Sequence, residues 1–276
     1  MLAFSRVQHS RKPPSRQPCK DPMPLQPPPT PDSRWAFFLD FDGTLVEIAE
    51  RPDAVVVGAQ LRTLLAGLAE ACGGALAIVS GRSIADLDRF LAPLVLPAVG
   101  LHGIELRAGA GEGVRAGELD SRLLEEAKAA AVALQGKYRD LDIEDKGRSL
   151  ALHYRRAPDA EKEARRMLQR VVASAGTELT LLDGKMVLEV KPAGVSKGDG
   201  LRAMLDAEPF AGRRPCFLGD DVTDEAAFEA CNEKEGVTVH IGDGTTVTAA
   251  HYRLPDPNAV QAWLGQAVEK PQSAAP

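Results

Sequence analysis

Asp40 and Asp42 stand two positions apart where an apolar run should be entering a core, AFFLDFDGTLV at residues 36–46. An unpaired carboxylate buried there costs several kcal/mol, and two side by side repel as well. At that spacing on a strand both project to one side while Phe41 points away. Gly43 then ends the strand and lets the backbone approach a ligand closely. Other apolar runs stop in the same manner: ALAIV at Ser80-Gly81-Arg82, LPAVG just before His102-Gly103, and PCFLG at Asp220-Asp221. In a parallel α/β sheet the carboxyl ends of the strands share one rim, and ligands bind there. Several carboxylates converging on that rim require a hard divalent cation, and oxygen-only ligands suit Mg²⁺ rather than zinc.

Each signal alone has a plain alternative. Asp-Gly after an apolar run is often only a turn, and Asp220, Asp221 and Asp224 together also suit the positive end of a helix. The ordered set is more specific: D-x-D-G-T, then S-G-R, then the lone Lys197, then G-D-D-x-x-D ending at Asp224.

The elements that must position these residues alternate. After the first strand, leucines at 61, 64, 65 and 68 mark one helical face within 58–72. Residues 75–82 read as a strand buried on both sides, and 83–91 as a helix opened by a Ser cap. The stretch LPAVGLHGIEL (96–106) reads as one further strand. The scheme resumes with helix 196–207, strand 214–221, helix 223–232, strand 237–244 and helix 258–270. Between them, 109–192 follows another rule: a long helix at 118–138, strands around DIEDK and SLALHYRR, a helix at 159–175, then strands ELTLLD and KMVLEVK. Leu141, Ile143, Leu150, Leu152, Tyr154, Met186, Leu188 and Val190 take one face of these strands. Asp142, Glu144, Lys146, His153, Arg155, Lys185, Glu189 and Lys191 take the other. The expected fold is therefore α/β, a doubly wound, mainly parallel Rossmann-like sheet built from 34–108 and 193–270. Into it is inserted an α+β unit of order αββαββ at 109–192, with a charged open face.

A net charge of -6 argues against a nucleic-acid or membrane-surface binder. No apolar stretch approaches the length of a membrane span. The four cysteines are scattered without a CxxC pair, so a disulfide framework or zinc site is not expected and a reducing cytoplasm fits. Residues 1–33 hold nine of the 20 prolines and an excess of basic residues ahead of Asp21. They are expected to be disordered and outside the fold, as is the short tail 271–276. A basic targeting peptide, or translation starting at Met23, would account for the first segment. A P-loop kinase is set aside because no GxxxxGK[ST] motif is present.

On these residues the chain resembles the haloacid dehalogenase superfamily of phosphohydrolases: DFDGTL (40–45), Ser80, Lys197 within KPAGVSKGDG, and GDDVTD (219–224) match its four motifs in order. The resemblance implies Asp40 as a nucleophile attacking phosphorus, Asp42 as acid and base, Ser80 and Lys197 as phosphate contacts, and an aspartyl-phosphate intermediate. It also implies Mg²⁺ held by Asp40, the backbone carbonyl of Asp42, and Asp220, with Asp221 and Asp224 in or near the second shell. Further stretches, GLHGIE (100–105), LHYR (152–155), GKMVLEVKP (184–192), FLGDDVTDEAAF (217–228) and the 248–264 segment, are similar to the trehalose-6-phosphate phosphatases. That similarity implies a monomeric cytoplasmic enzyme acting on a disaccharide phosphate. Its substrate would meet Asp40, Asp42, Gly43, Ser80, Gly81, Arg82, His102, Gly103 and Lys197 on the core, and Glu144, Arg155, Lys185 and Glu189 on the inserted cap. Phosphatases of sucrose 6-phosphate or mannosyl-3-phosphoglycerate are the nearest alternatives, and a non-catalytic sugar-phosphate sensor is the alternative from another class.

Overall fold

The computed structural model describes residues 26–49, 51–117, 121–244 and 246–269. The chain runs β1 (Ala36–Leu39), α1 (Ala59–Ala71), β2 (Leu76–Val79), α2 (Ile84–Leu91), β3 (Ala98–Gly100), β4 (Glu105–Arg107) and β5 (Arg115–Ala116). It continues through α3 (Ser121–Lys137), β6 (Asp142–Asp145), β7 (Leu150–His153), α4 (Glu161–Ser174), β8 (Leu179–Gly184) and β9 (Val187–Pro192). It closes with α5 (Lys197–Leu205), β10 (Pro215–Gly219), α6 (Glu225–Asn232), β11 (Val237–Ile241), β12 (Tyr252–Leu254) and α7 (Pro257–Glu269).

Two sheets result. The larger has the order β12-β11-β10-β1-β2-β3-β4-β5, parallel from β12 to β3 and antiparallel over its last two pairings. Every residue of β1, β2 and β10 is buried, which requires cover on both faces and explains the nearly unbroken apolar runs. Phe37, Phe38, Phe217 and Phe228 fill this core, and α1 packs against α7 as α5 does against α6. The smaller sheet, β6-β7-β9-β8, is antiparallel throughout. Its apolar face lies under α3 and α4, where Leu152, Leu188 and Val190 meet Ala131, Ala164 and Leu168 in a second core. This is the mixed α/β architecture read from the sequence.

Several elements differ from expectation. The stretch 96–106 is not one strand but a reversal: Leu101, His102 and Gly103 take positive φ of 49°, 56° and 108°, and β4 returns antiparallel beside β3. Three consecutive residues at positive φ turn the chain at the His102-Gly103 stop, so LPAVG ends there, as its polar stop implies, and does not run on to residue 106. The larger sheet reaches past the expected boundary at residue 108, because Arg115–Ala116 pairs with β4. Lys185 and Met186 form the β8–β9 turn rather than the start of a strand, with Met186 at φ 67°. Of the N-terminal segment, residues 1–25 lie outside the described residues. Residues 26–33 pack on the fold instead of leaving it: Pro31 is buried, Trp263 Nε1 donates to the Pro29 carbonyl, and Arg253 N donates to that of Gln26. Residues 118–120 at the head of the long helix, and 270–276, also lie outside the description. Cys72, Cys216 and Cys231 are buried free thiols. Among the described residues no helix is long and apolar enough to cross a membrane.

Candidate active site

The strand order turns back on itself between β1 and β10. From β1 the chain builds outward through β2 and β3, then returns to add β10, β11 and β12 on the other side. Helical connections at such a point diverge and leave a crevice beyond the strand ends. Asp40 follows β1 and Asp220 follows β10, so the two carboxylates flank that crevice. One oxygen each of Asp40, Asp220 and Asp224 lies within 4.8 Å of the others, and all three residues are buried.

Lys197 holds this cluster together. It is the first residue of α5, set by a capping box between Ser196 and Asp199. Its Nζ donates to Asp40 Oδ1 at 2.7 Å and to Asp224 Oδ1 at 2.6 Å. Burial disfavours an ammonium, but Asp224 and Asp40 outweigh it and hold Lys197 charged. Asp224 is fully buried and does more than sit behind the cluster: its Oδ2 accepts from the backbone N–H of both Asp220 and Asp221 at 3.0 Å. Asp221 caps the short turn after β10, accepting from Val222 N. Burial pushes Asp40 well above the usual carboxylate range, and the neighbouring Asp224 and Asp220 add to the rise against Lys197. Burial likewise lifts Asp220 to about 6 despite an ion pair with Lys185. An oxygen-only set of three acids, with one lysine already shared between two of them, retains excess negative charge and suits a hard divalent cation. Gly43, at φ 82°, passes so close beneath Asp220 that any side chain there would collide with the carboxylate.

Asp42 is turned elsewhere. Arg82 grips it with two parallel bonds, Nε to Oδ2 at 2.6 Å and Nη2 to Oδ1 at 2.7 Å. The guanidinium in turn lies over Phe90, 4.8 Å from the ring centroid, and beside Phe41 at 5.7 Å. Arg82, expected on the substrate, is thus engaged with the expected acid and base. Ser80 is buried at the tip of β2, its Oγ accepting from Arg82 N at 3.1 Å. The left-handed turn at 101–103 brings His102 over Gly81, where a side chain would clash with the imidazole, and Gly103 runs directly against the Ser196 carbonyl.

The charged face of the smaller sheet closes over this rim. A cavity of about 200 Å³ is lined by Asp40, Asp42, Ser80, Arg82 and Lys197 on one side and by Glu144, Arg155, Lys185 and Glu189 on the other. Gly43, Gly103 and Asp224 shape the site from behind rather than lining it. Glu189 is buried and accepts from Lys146 Nζ at 2.9 Å, while the His102 ring lies 3.3 Å away. Burial would raise this carboxyl, but Lys146 and His102 hold it well below the ordinary range. Its second oxygen, Oε1, is buried without a hydrogen-bond partner among the described residues. Burial holds His102 below the ordinary histidine value despite Glu189. Glu144 pairs with His153 at 2.8 Å, and Arg155 Nη2 donates to the Lys185 carbonyl at 3.1 Å.

Strand parity sets Lys146 on the charged face, with nothing in the sequence to mark it as part of the site. It also donates to the Gly81 carbonyl at 2.9 Å, tying the inserted unit to the Ser80–Arg82 loop. Ile48, Ala49 and Arg51, from the segment between β1 and α1, complete the wall and carried no sequence signal.

A family model described as trehalose-phosphatase matches residues 38–258. The chain is 41% identical over 227 residues to a probable trehalose-phosphate phosphatase of Sinorhizobium fredii, covering 82% of this chain and 85% of that one. It is 39% identical over 241 residues to the trehalose-6-phosphate phosphatase of Escherichia coli, covering 87% and 89%. The C-terminal domain of the Candida albicans trehalose-6-phosphate phosphatase has the same fold, with a TM-score of 0.75 at 23% identity over 84% of this chain and 91% of that one.

Proposed function

The chain belongs to the trehalose-phosphatase family, and from that premise we propose that it hydrolyses trehalose 6-phosphate to trehalose and phosphate by way of an aspartyl-phosphate on Asp40. The observation that carries the reading is the joining of Asp40, Lys197, Asp220 and Asp224 at one rim, beneath the charged face of the smaller sheet.

A Mg²⁺ ion is the cation we assign to Asp40, Asp220 and the Asp42 carbonyl, and it would offset the repulsion between a carboxylate and a phosphate dianion. That repulsion is about 4 kcal/mol per charge pair at 4 Å and an effective dielectric near 20. Lys197 and Ser80 bind the phosphoryl oxygens. Asp40 attacks phosphorus, the bond from phosphorus to the sugar oxygen breaks, and Asp42 delivers its proton to that oxygen. Asp42, now a carboxylate, takes a proton from the water that attacks phosphorus and frees Asp40. The grip of Arg82 suits the second of these roles, since a bidentate guanidinium pairs with the ionised form. For the first, Asp42 must leave Arg82 with a proton aboard. The division of labour we assign places this chemistry on 34–108 and 193–270 and sugar recognition on 109–192. There Glu144, Arg155, Lys185 and Glu189 would supply acceptors and donors to the sugar hydroxyls.

Phosphate release should be measured from trehalose 6-phosphate, sucrose 6-phosphate, mannosyl-3-phosphoglycerate and glucose 6-phosphate, with Mg²⁺ and with EDTA. The expected result is a preference for trehalose 6-phosphate of at least about 100-fold in kcat/KM, abolished by EDTA and restored by Mg²⁺. Equal rates across the panel would sink the substrate assignment. Undiminished turnover in EDTA would sink the cation.

A separate test concerns Asp42. Asp42→Asn should slow the sugar ester by about 10²–10⁴-fold. With p-nitrophenyl phosphate, whose leaving group needs no proton, the same variant should release a burst of one nitrophenol per enzyme and then turn over slowly. A normal rate on the sugar ester would remove Asp42 from the reaction.

A further inference from the structure

Lys185 sits in the two-residue turn between β8 and β9, at the tip of the smaller sheet, yet its ammonium reaches the larger sheet's strand ends. It forms an ion pair with Asp220 Oδ2 and lies 3.4 Å from the backbone carbonyl of the same residue. The pairing completes a charge distribution. Three buried acids gather at the rim, and Lys197 is engaged by Asp40 and Asp224. Asp220 is left to Lys185.

We propose that Lys185 is the resident counter-ion of Asp220 and that an arriving divalent cation displaces it, so that uptake of the cation frees this lysine to meet the sugar. The inference rests on the cation site assigned above. Two positive charges held on one buried carboxylate repel strongly, and the Gly43 backbone runs so close beneath that carboxylate that no side chain would fit there. A divalent ion neutralises the cluster more fully than one ammonium, so the exchange runs toward the ion. Lys185 is also free to move in a way that Lys197 is not. Its side chain is 49% exposed and lines the cavity, against 3% for Lys197. The exchange implies an order, cation before sugar phosphate, and links the cation site to the position of the inserted unit that carries the turn.

The experiment is Mn²⁺ binding to the full chain without substrate, read from the electron paramagnetic resonance signal of free Mn²⁺. Lys185→Met, which removes the charge and keeps an unbranched stem, should bind Mn²⁺ at least about fivefold more tightly than the wild type. Lys185→Arg should stay near the wild type. In parallel, reductive methylation of the wild-type chain read by mass spectrometry should show Lys185 labelled several-fold faster once Mg²⁺ is added, with exposed Lys162 as the internal standard. An Mn²⁺ affinity in Lys185→Met equal to or weaker than wild type, or labelling of Lys185 indifferent to Mg²⁺, overturns the exchange while leaving the cation site standing. A wild-type chain that takes up no Mn²⁺ overturns both.

Discussion

Asp40→Asn should reduce phosphate release from trehalose 6-phosphate by about 10⁴-fold or more, the scale on which covalent enzymes fail when the nucleophile is removed. The amide keeps the shape of the carboxylate but has no charge with which to attack phosphorus. The fold should survive, because Lys197 retains Asp224 as a partner at 2.6 Å. Stability should hold or rise: burial and the neighbouring acids already disfavour the charge on Asp40, and the variant removes one of three crowded carboxylates. Binding of trehalose 6-phosphate, measured by calorimetry, should change by no more than several-fold, since the residues proposed to meet the sugar line the other side of the cavity. Turnover within tenfold of wild type would end the covalent route. Loss of binding together with loss of rate would show instead that Asp40 serves the ground state.

Lys197→Met should produce the largest loss of stability together with a loss of activity. The ammonium is buried and bonded to two carboxylates. Removing one partner of such a pair leaves uncompensated buried charge and costs about 3–5 kcal/mol. For a chain of this size that is a fall in Tm of roughly 6–20 °C. The deficit should depend on pH in a defined direction. Carboxylates made less acidic by folding destabilise where they are ionised, and that penalty fades as they take up protons. It should therefore be full at neutral pH and shrink as the pH falls and Asp40, which burial already holds well above the usual carboxylate range, takes up its proton. Thermal melts between pH 5 and 8 test both size and sign. A Tm unchanged from wild type across that range would mean the three acids do not need this lysine.

Much of this was legible before the coordinates, for a physical reason. β1, β2 and β10 are covered on both faces, so their sequences are almost wholly apolar, and the first polar residue after each marks a strand end on the rim. Asp40, Ser80 and Asp220 were found that way. What was not legible depends on distances between elements or on backbone strain. β12 and β5 span three residues and two, too few for a period to register. At 101–103 His102-Gly103 marks the end of the apolar run, but the reversal that sends Glu105–Arg107 back antiparallel shows only in the backbone angles. The Arg82 grip on Asp42 joins residues 40 positions apart. Parity set Lys146 and Glu189 on one face but could not tell that the lysine would also reach Gly81 across the cavity.

One joint in the molecule has a bearing on how such enzymes diversify. The last strand of the inserted unit ends at Pro192, and Lys197 opens α5 only five positions on. Between them the chain is clamped: Ser196 and Asp199 cap one another, the Ser196 carbonyl is wedged against Gly103, and Lys191 Nζ donates to the Val195 carbonyl. Any shift of the inserted unit would thereby be kept from tugging on Lys197. If that unit reads the sugar as proposed, sequence drift in it would retune which alcohol is accepted while the reacting groups stay in register, so long as the clamp and its glycine persist.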